Sequence, residues 1–222
     1  MSAPVEGHPP TRTFKPRRRR MSPTLADARA RLAPRWTLAE AGPVLTDAPG
    51  GPDVVEIGFG HGEALLAYAE AHRDRRIVGI EVHTPGVAKV LAGIERLGLT
   101  NLQVVEGDAL VFLDRVAPAS LQAVHVLFPD PWPKARQQPR RLIRPDVVAV
   151  LADRLAPGGR LHLATDDAGY AARMDAVCGA DPTLRGGPWP AGSRPGWRTV
   201  TRYEARAVEA GRVVVDLTYE RI

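Results

Sequence analysis

From Asp53 onward, short apolar runs alternate with longer helix-periodic ones, and this alternation admits very few folds. VVEIGFGHG, RRIVGIEV, LQVVEGDA, LQAVHVLF and RLHLATD read as strands. Each is followed by a helical pattern: EALLAYAEAH, GVAKVLAGIERLG, a short stretch at 109–116, PDVVAVLADRLAPGG and AGYAARMDAV. Strands joined by crossover helices pair in parallel, and the helices cover both faces of the sheet. Pro145 suits the first turn of its helix, and Gly158 and Gly159 suit its C-cap. The close of the chain differs. WRTV at 197–200 reads as a short strand, RYEARAVEAG as a short helix and RVVVDLTYER as the final strand. Only a turn separates the last two, so the final strand is expected antiparallel. The expected fold is α/β: a mostly parallel sheet of about seven strands, the last antiparallel, with helices on both faces.

The first 35 residues differ in kind. They hold nine Lys and Arg against two acids, Glu6 and Asp27. Residues 1–24 are rich in Pro and Arg without apolar periodicity, which predicts a flexible arm. A short helix is expected over 24–36, with Thr24 as its N-cap and Pro34 near its end. This divides the chain into a basic arm, 1–35, and a main domain, 36–222, bordered by the turn-rich DAPGGPD. Within the main domain, 131–144 carries five basic residues and no acid. The net charge of +5 therefore conceals two basic segments on an otherwise acidic body, a pattern that suits a polyanionic partner. A single cysteine, Cys178, rules out a disulfide within the chain and fits a reducing compartment. No apolar run approaches the roughly 18 residues of a membrane span, and no apolar segment follows the basic N-terminus. A cytoplasmic protein without membrane contact is expected. The six histidines and Cys178 lack ligand spacing, so no metal is expected. There is no G-x-S-x-G elbow and no phosphate-binding loop signature.

In open α/β sheets ligands bind beyond the carboxyl ends of the strands. The first strand places Glu56 there, followed by Gly58, Gly60 and Gly62; the second places Glu81; the third Asp108; the fourth Asp130; the fifth Asp166 beside Asp167. Glycines permit a sharp turn and close approach to a ligand. The spacing is G-x-G-x-G, with Glu63 where a dinucleotide fingerprint has its third glycine. A pyrophosphate would be repelled by acids at successive strand ends, whereas S-adenosylmethionine brings a sulfonium, an ammonium, a ribose diol and no phosphate. By position, Glu56 meets the ammonium, Glu81 accepts the ribose hydroxyls and Asp108 reaches the adenine edge. Each could instead be a solvated loop acid or a helix cap.

These segments also resemble a known family. EIGFGHGE, GIEVHTPGV, LFPDPWPKARQQPRR, ATD with Tyr170 nearby, TRYE at 201–204 and RTFKPRRRRMSP in the arm are similar to the tRNA (guanine-N7)-methyltransferases, over nearly the whole chain. FPDPWPK is the specific element, because other methyltransferases share only the glycine turn. The resemblance implies a Rossmann-like class I methyltransferase fold, tRNA as the partner rather than DNA, and 7-methylguanosine at position 46 as the product. It implies that Glu56, Glu81, Asp108 and Asp130 bind the cofactor, with Asp130 as the active-site residue. It further implies that Lys134, Asp166, Thr201, Arg202, Tyr203 and Glu204 contact the target nucleotide. The family more often reads Thr-Lys-Phe-Glu where this chain has TRYE.

Guanine N7 carries a lone pair and no proton, so its methylation needs no general base. Positive charge grows on the purine as the sulfonium loses its own. A carboxylate held by Pro129, Pro131 and Pro133 offsets that charge and orients the base. Lys134, Arg136, Arg140 and Arg141 would then face the phosphates that deliver the base. Trp132 could stack on the base or anchor its own loop. Three other functions compete: a methyltransferase for another substrate, a non-catalytic RNA-binding protein on the same scaffold, and a nicotinamide dehydrogenase. The sequence does not set the oligomeric state.

Overall fold

The computed structural model describes residues 21–43, 45 and 51–222. The arm up to residue 20 and most of the turn-rich border lie outside the described residues.

The first element is the helix α1, Pro23–Trp36, capped two residues before the expected Thr24, which lies inside it. Its N-cap is Ser22, whose hydroxyl accepts from the Leu25 amide at 3.3 Å, and Pro23 takes the first turn. Ala28 and Leu32 are its buried residues. Arg29 donates to Glu106 at 2.6 Å and Arg31 grips Glu95, so α1 lies along the main sheet and its covering helix.

In chain order there follow β1 (Thr37–Leu38), β2 (Val54–Ile57), α2 (Glu63–Ala71), β3 (Ile77–Glu81), α3 (Thr84–Leu97), β4 (Leu102–Glu106), α4 (Ala109–Leu113) and β5 (Leu121–Leu127). A 3-10 turn at Ala135–Arg140 precedes α5 (Pro145–Arg154), β6 (Leu155–Thr165), α6 (Ala168–Gly179), β7 (Leu184–Pro188), α7 (Arg202–Glu209) and β8 (Val215–Arg221). The eight strands lie in the order β1-β4-β3-β2-β5-β6-β8-β7. All neighbours are parallel except β8, which runs antiparallel to both β6 and β7. Order reverses between β2 and β5, with Glu56 opposite His125 and Ile57 opposite Val126. That switch point opens a crevice at the carboxyl ends of the two strands. Apolar side chains of the two helical layers fill both faces of the sheet.

Two expectations fail locally, and one strand was not expected. α5 ends at Arg154, not at the glycines, because Leu155 is already extended and joins β6. Gly158 instead takes a positive φ of 79° beside the register shift between Leu121 and Ala123. WRTV forms no strand: Arg198 and the half-buried Trp197 are drawn inward by side-chain contacts. Conversely, LRGGP, with its breaker residues, pairs as edge strand β7. Gly186 makes that pairing possible, since a Cβ there would lie 2.0 Å from the Thr218 carbonyl oxygen.

Candidate active site

A cavity of about 400 Å³ occupies the switch-point crevice, within the range of small-molecule sites. Gly58, Glu81, Asp108 and Asp130 line it from the strand ends, and Arg202, Tyr203 and Arg206 line it from α7. Its two walls thus carry opposite charge.

The turn after β2 is fixed by backbone. Gly58 has φ of 73° and its amide donates to the Ile80 carbonyl at 2.8 Å. A Cβ on Gly58 would meet nothing within 4 Å, so the cavity reaches its Cα. The Glu81 carboxylate holds this turn against β3: it accepts from Gly60 N at 2.7 Å, Val82 N at 2.7 Å and His83 N at 2.9 Å. Three backbone donors orient it toward the cavity and leave acceptor capacity for a ligand.

Glu56 lies behind the turn, only 3% exposed. Among the described residues nothing hydrogen-bonds its carboxyl, and burial pushes its pKa up to about 8. It borders a void of about 20 Å³ shared with Gly58, Glu63, Thr201 and Tyr203. A buried acid without a protein partner is a group waiting for a ligand or a water.

Asp108 both caps and lines. Its side chain accepts from Leu110 N at 2.9 Å, making it the N-cap of α4, and its own amide donates to Glu40 at 2.7 Å. Glu40 had no sequence signal, because it reaches Asp108 from a segment 68 residues away.

Asp130 is exposed at the cavity edge, in a loop with two strained aromatics. Phe128 has φ of 54° and Trp132 of 44°, a region costly for bulky residues. The loop is tied down in three places. Phe128 N donates to the Ala164 carbonyl at 2.8 Å. Arg141 Nε donates to the Pro131 carbonyl at 2.7 Å, its guanidinium 4.7 Å from the Tyr170 ring centroid. Arg140 covers the Trp132 ring at 5.2 Å. Arg141 therefore braces the loop. Lys134 and Arg136 are exposed, and no ion pair engages either among the described residues.

The remaining expected residues divide. Asp166 pairs with Arg212 at 2.9 Å away from the cavity lining, and its neighbour Asp167 is the N-cap of α6. Thr201 caps α7, accepting from Glu204 N at 3.1 Å, and both are buried. Glu204 turns inward to Arg198 at 2.5 Å and Arg194 at 3.2 Å. Of TRYE, Arg202 and Tyr203 face the cavity. Arg202 is steadied by Glu63, which accepts from its amide at 2.9 Å, and Tyr203 lies nearly parallel to Phe128, with ring centroids 6.4 Å apart. Arg206 was not foreseen, although its i+4 spacing from Arg202 on one helix face was available. Among the described residues no His, Cys, Asp and Glu cluster could hold a metal ion, and no helix is long and apolar enough to cross a membrane.

Comparison with known proteins agrees with this geometry. Residues 50–217 match a family model described as "Putative methyltransferase". A tRNA (guanine-N(7)-)-methyltransferase of Streptomyces avermitilis is 42% identical over 221 residues, spanning 95% of this chain and 75% of that one. One from Nitrosomonas europaea is 38% identical over 223 residues, spanning 98% and 99%. Among solved structures, an rRNA methylase from Streptococcus thermophilus superposes with a TM-score of 0.51 at 16% identity, covering 81% of this chain and 90% of that one. A precorrin-6y C5,15-methyltransferase from Geobacter metallireducens gives 0.52 at 13%, covering 80% and 84%. These two share the fold alone. The relatives at 38 and 42% identity carry the assignment further, and the chain belongs to the tRNA (guanine-N7)-methyltransferase family.

Proposed function

We propose that this protein transfers a methyl group from S-adenosylmethionine to N7 of guanine at position 46 of tRNA. The observation that carries the reading is the two-signed cavity at the switch point, acid on the strand side and basic on α7, with Asp130 held at its edge by a strained loop.

The residues present fit the cofactor. The unpartnered Glu56 carboxyl suits an ammonium, the backbone-oriented Glu81 suits a ribose diol, and the open Cα face of Gly58 admits close approach. Asp108 lines the cavity at the end of β4 and suits an adenine edge through its side chain, its amide being given to Glu40. When bound, the cofactor supplies an electrophilic methyl group on a sulfonium. Asp130 offsets the charge that develops on the purine and orients it through its N–H groups; it takes no proton, because N7 bears none. Phe128 and Tyr203 offer flat surfaces beside the acceptor. Lys134, Arg136 and Arg202 meet phosphates, and the basic arm adds to the same contact from outside the described residues. Arg140 and Arg141 contribute charge while bracing the loop.

The test uses labelled S-adenosylmethionine with two tRNA transcripts, one with guanine at position 46 and one with adenine. Label on the guanine transcript alone, reduced at least a hundredfold in Asp130→Ala, is expected. Equal label on both would refute the position, and no label despite cofactor binding would refute the substrate.

A further inference from the structure

The segment 190–201 contains no helix or strand, yet Arg198 within it has a side chain with no solvent exposure at all. Its Nε and Nη2 donate to the two carboxylate oxygens of Asp216 on β8, at 2.6 and 2.7 Å. Its Nη1 donates to Glu204 in the first turn of α7 at 2.5 Å. Asp216 also accepts from His162 Nε2 on β6 at 2.8 Å, while His162 Nδ1 lies 2.8 Å from the Thr218 hydroxyl. Burial outweighs Asp216 and keeps His162 below its ordinary pKa, so a neutral ring donating from Nε2 satisfies every contact. Ion pairs this deep add little net stability over packed apolar side chains, because desolvation cancels much of the attraction. Their geometry is more informative than their energy.

That geometry leads to the cavity. On another side, the Arg198 guanidinium carbon lies 5.8 Å from the ring centroid of Phe128, the positive-φ residue that opens the Asp130 loop. Glu204 directly follows Tyr203, whose ring lies beside that of Phe128. One guanidinium thus joins the antiparallel end of the sheet, the start of α7 and the entry to the Asp130 loop, without lining the cavity itself.

We propose that Arg198 is a positioning residue which, through Glu204 and Phe128, sets Tyr203 and Asp130 on the methyl-acceptor side, and that Glu204 belongs to this device and does not contact the target nucleotide. The inference rests on the proposed function. It depends on the planar three-way fork of arginine, which a lysine ammonium cannot reproduce.

The test compares wild type, Arg198→Lys, Glu204→Gln and the double variant for kcat on tRNA, KM for tRNA and equilibrium affinity for S-adenosylmethionine. Each single change is expected to lower kcat about tenfold to a hundredfold, the loss typical of small misplacement, with cofactor affinity held within about twofold. The double variant should be no slower than the slower single one, because the two residues act as a unit. Multiplying losses would overturn the proposal. So would a Glu204→Gln variant that raises only KM for tRNA beside an unaffected Arg198→Lys, the signature of a direct nucleotide contact. Should Arg198→Lys fail to fold, Glu204→Gln and Phe128→Leu close an equivalent cycle with the same two outcomes. A wild-type protein inactive on tRNA would overturn the function and, with it, the inference.

Discussion

Cofactor binding should expel a proton from Glu56. Buried without a partner among the described residues, this carboxyl has its pKa raised to about 8, so at pH 7 it is about 90% protonated in the free protein. Ionising it there costs about 1.4 kcal/mol, which an ammonium placed against it can supply. An adjacent opposite charge lowers a carboxyl pKa by about 1 to 3 units, which takes Glu56 to between about 7 and 5. Binding at pH 7 should then release about 0.4 to 0.9 proton. The ligand's own α-amino group, with an ordinary pKa of about 7.7–8.0, takes up roughly 0.1–0.2 proton on becoming fully charged. Glu56→Gln lacks the carboxylate that favours the ammonium, so the difference between the two proteins is the Glu56 release less at most this uptake, about 0.2 to 0.9 proton.

The assay is calorimetric titration of S-adenosylmethionine at pH 7 in buffers of different ionisation enthalpy, where the slope of observed heat gives protons exchanged. Wild type should release about 0.2 to 0.9 proton more than Glu56→Gln. The variant should bind about 10- to 100-fold more weakly, as expected when a charged hydrogen bond is lost. It should fold normally at pH 7, because it replaces a group already neutral there. Equal proton counts in the two proteins would refute the reasoning, since Glu56 would then not change ionisation where the ammonium binds.

The same burial shapes stability. Glu56 has a folded pKa above its unfolded value, so its contribution is present at low pH and lost as pH rises from about 4.5 through 8. Burial depresses His125, alongside His162, His72 and Arg75, and depresses His162 against the pull of Asp216; their contributions are present above about 6.5 and lost as pH falls below it. Each group changes stability by at most about 1.4 kcal/mol per pH unit, the histidines opposing the carboxyl below about 6.5. Cofactor-free protein should therefore melt lower as pH rises from about 6.5 to 8; Glu56→Gln should remove that decline, and His125→Phe should reduce the loss on acidification, in a pH series of thermal melts. Arg206 lines the cavity, and no protein partner engages its side chain among the described residues. Arg206→Ala should reduce the logarithmic salt slope of tRNA binding by about 0.7–0.9 and leave cofactor affinity unchanged; an unaltered slope would exclude a phosphate contact. Deleting the arm should weaken tRNA binding and flatten its salt dependence further, again without touching the cofactor, and unchanged tRNA affinity would remove the arm from the contact.

What the sequence could and could not disclose follows from the range of the forces involved. Strand ends are local: apolar runs bounded by glycines located Glu56, Glu81 and Asp108, and the reversal of strand order brought Asp130 to the same crevice. The antiparallel close was legible because only a turn lies between α7 and the last strand. β7 was not, because an edge strand can use the glycines and proline that elsewhere mark loops. TRYE shows the deeper limit. Its Thr-x-x-Glu spacing is a helix-start signal as much as a nucleotide-binding one, and Thr201 does cap α7. Whether Glu204 faces the ligand or the interior depends on Arg198, and Arg198 is drawn inward by Asp216, 18 residues later on a strand that must first pair with β6. Local pattern can locate an acid beside a cavity; only the assembled sheet decides whether its charge is already neutralised by a buried cation. Arg202 and Tyr203, just before Glu204, stay at the cavity: Arg202 pairs with the exposed Glu63 at 3.4 Å, and among the described residues no interior partner claims either.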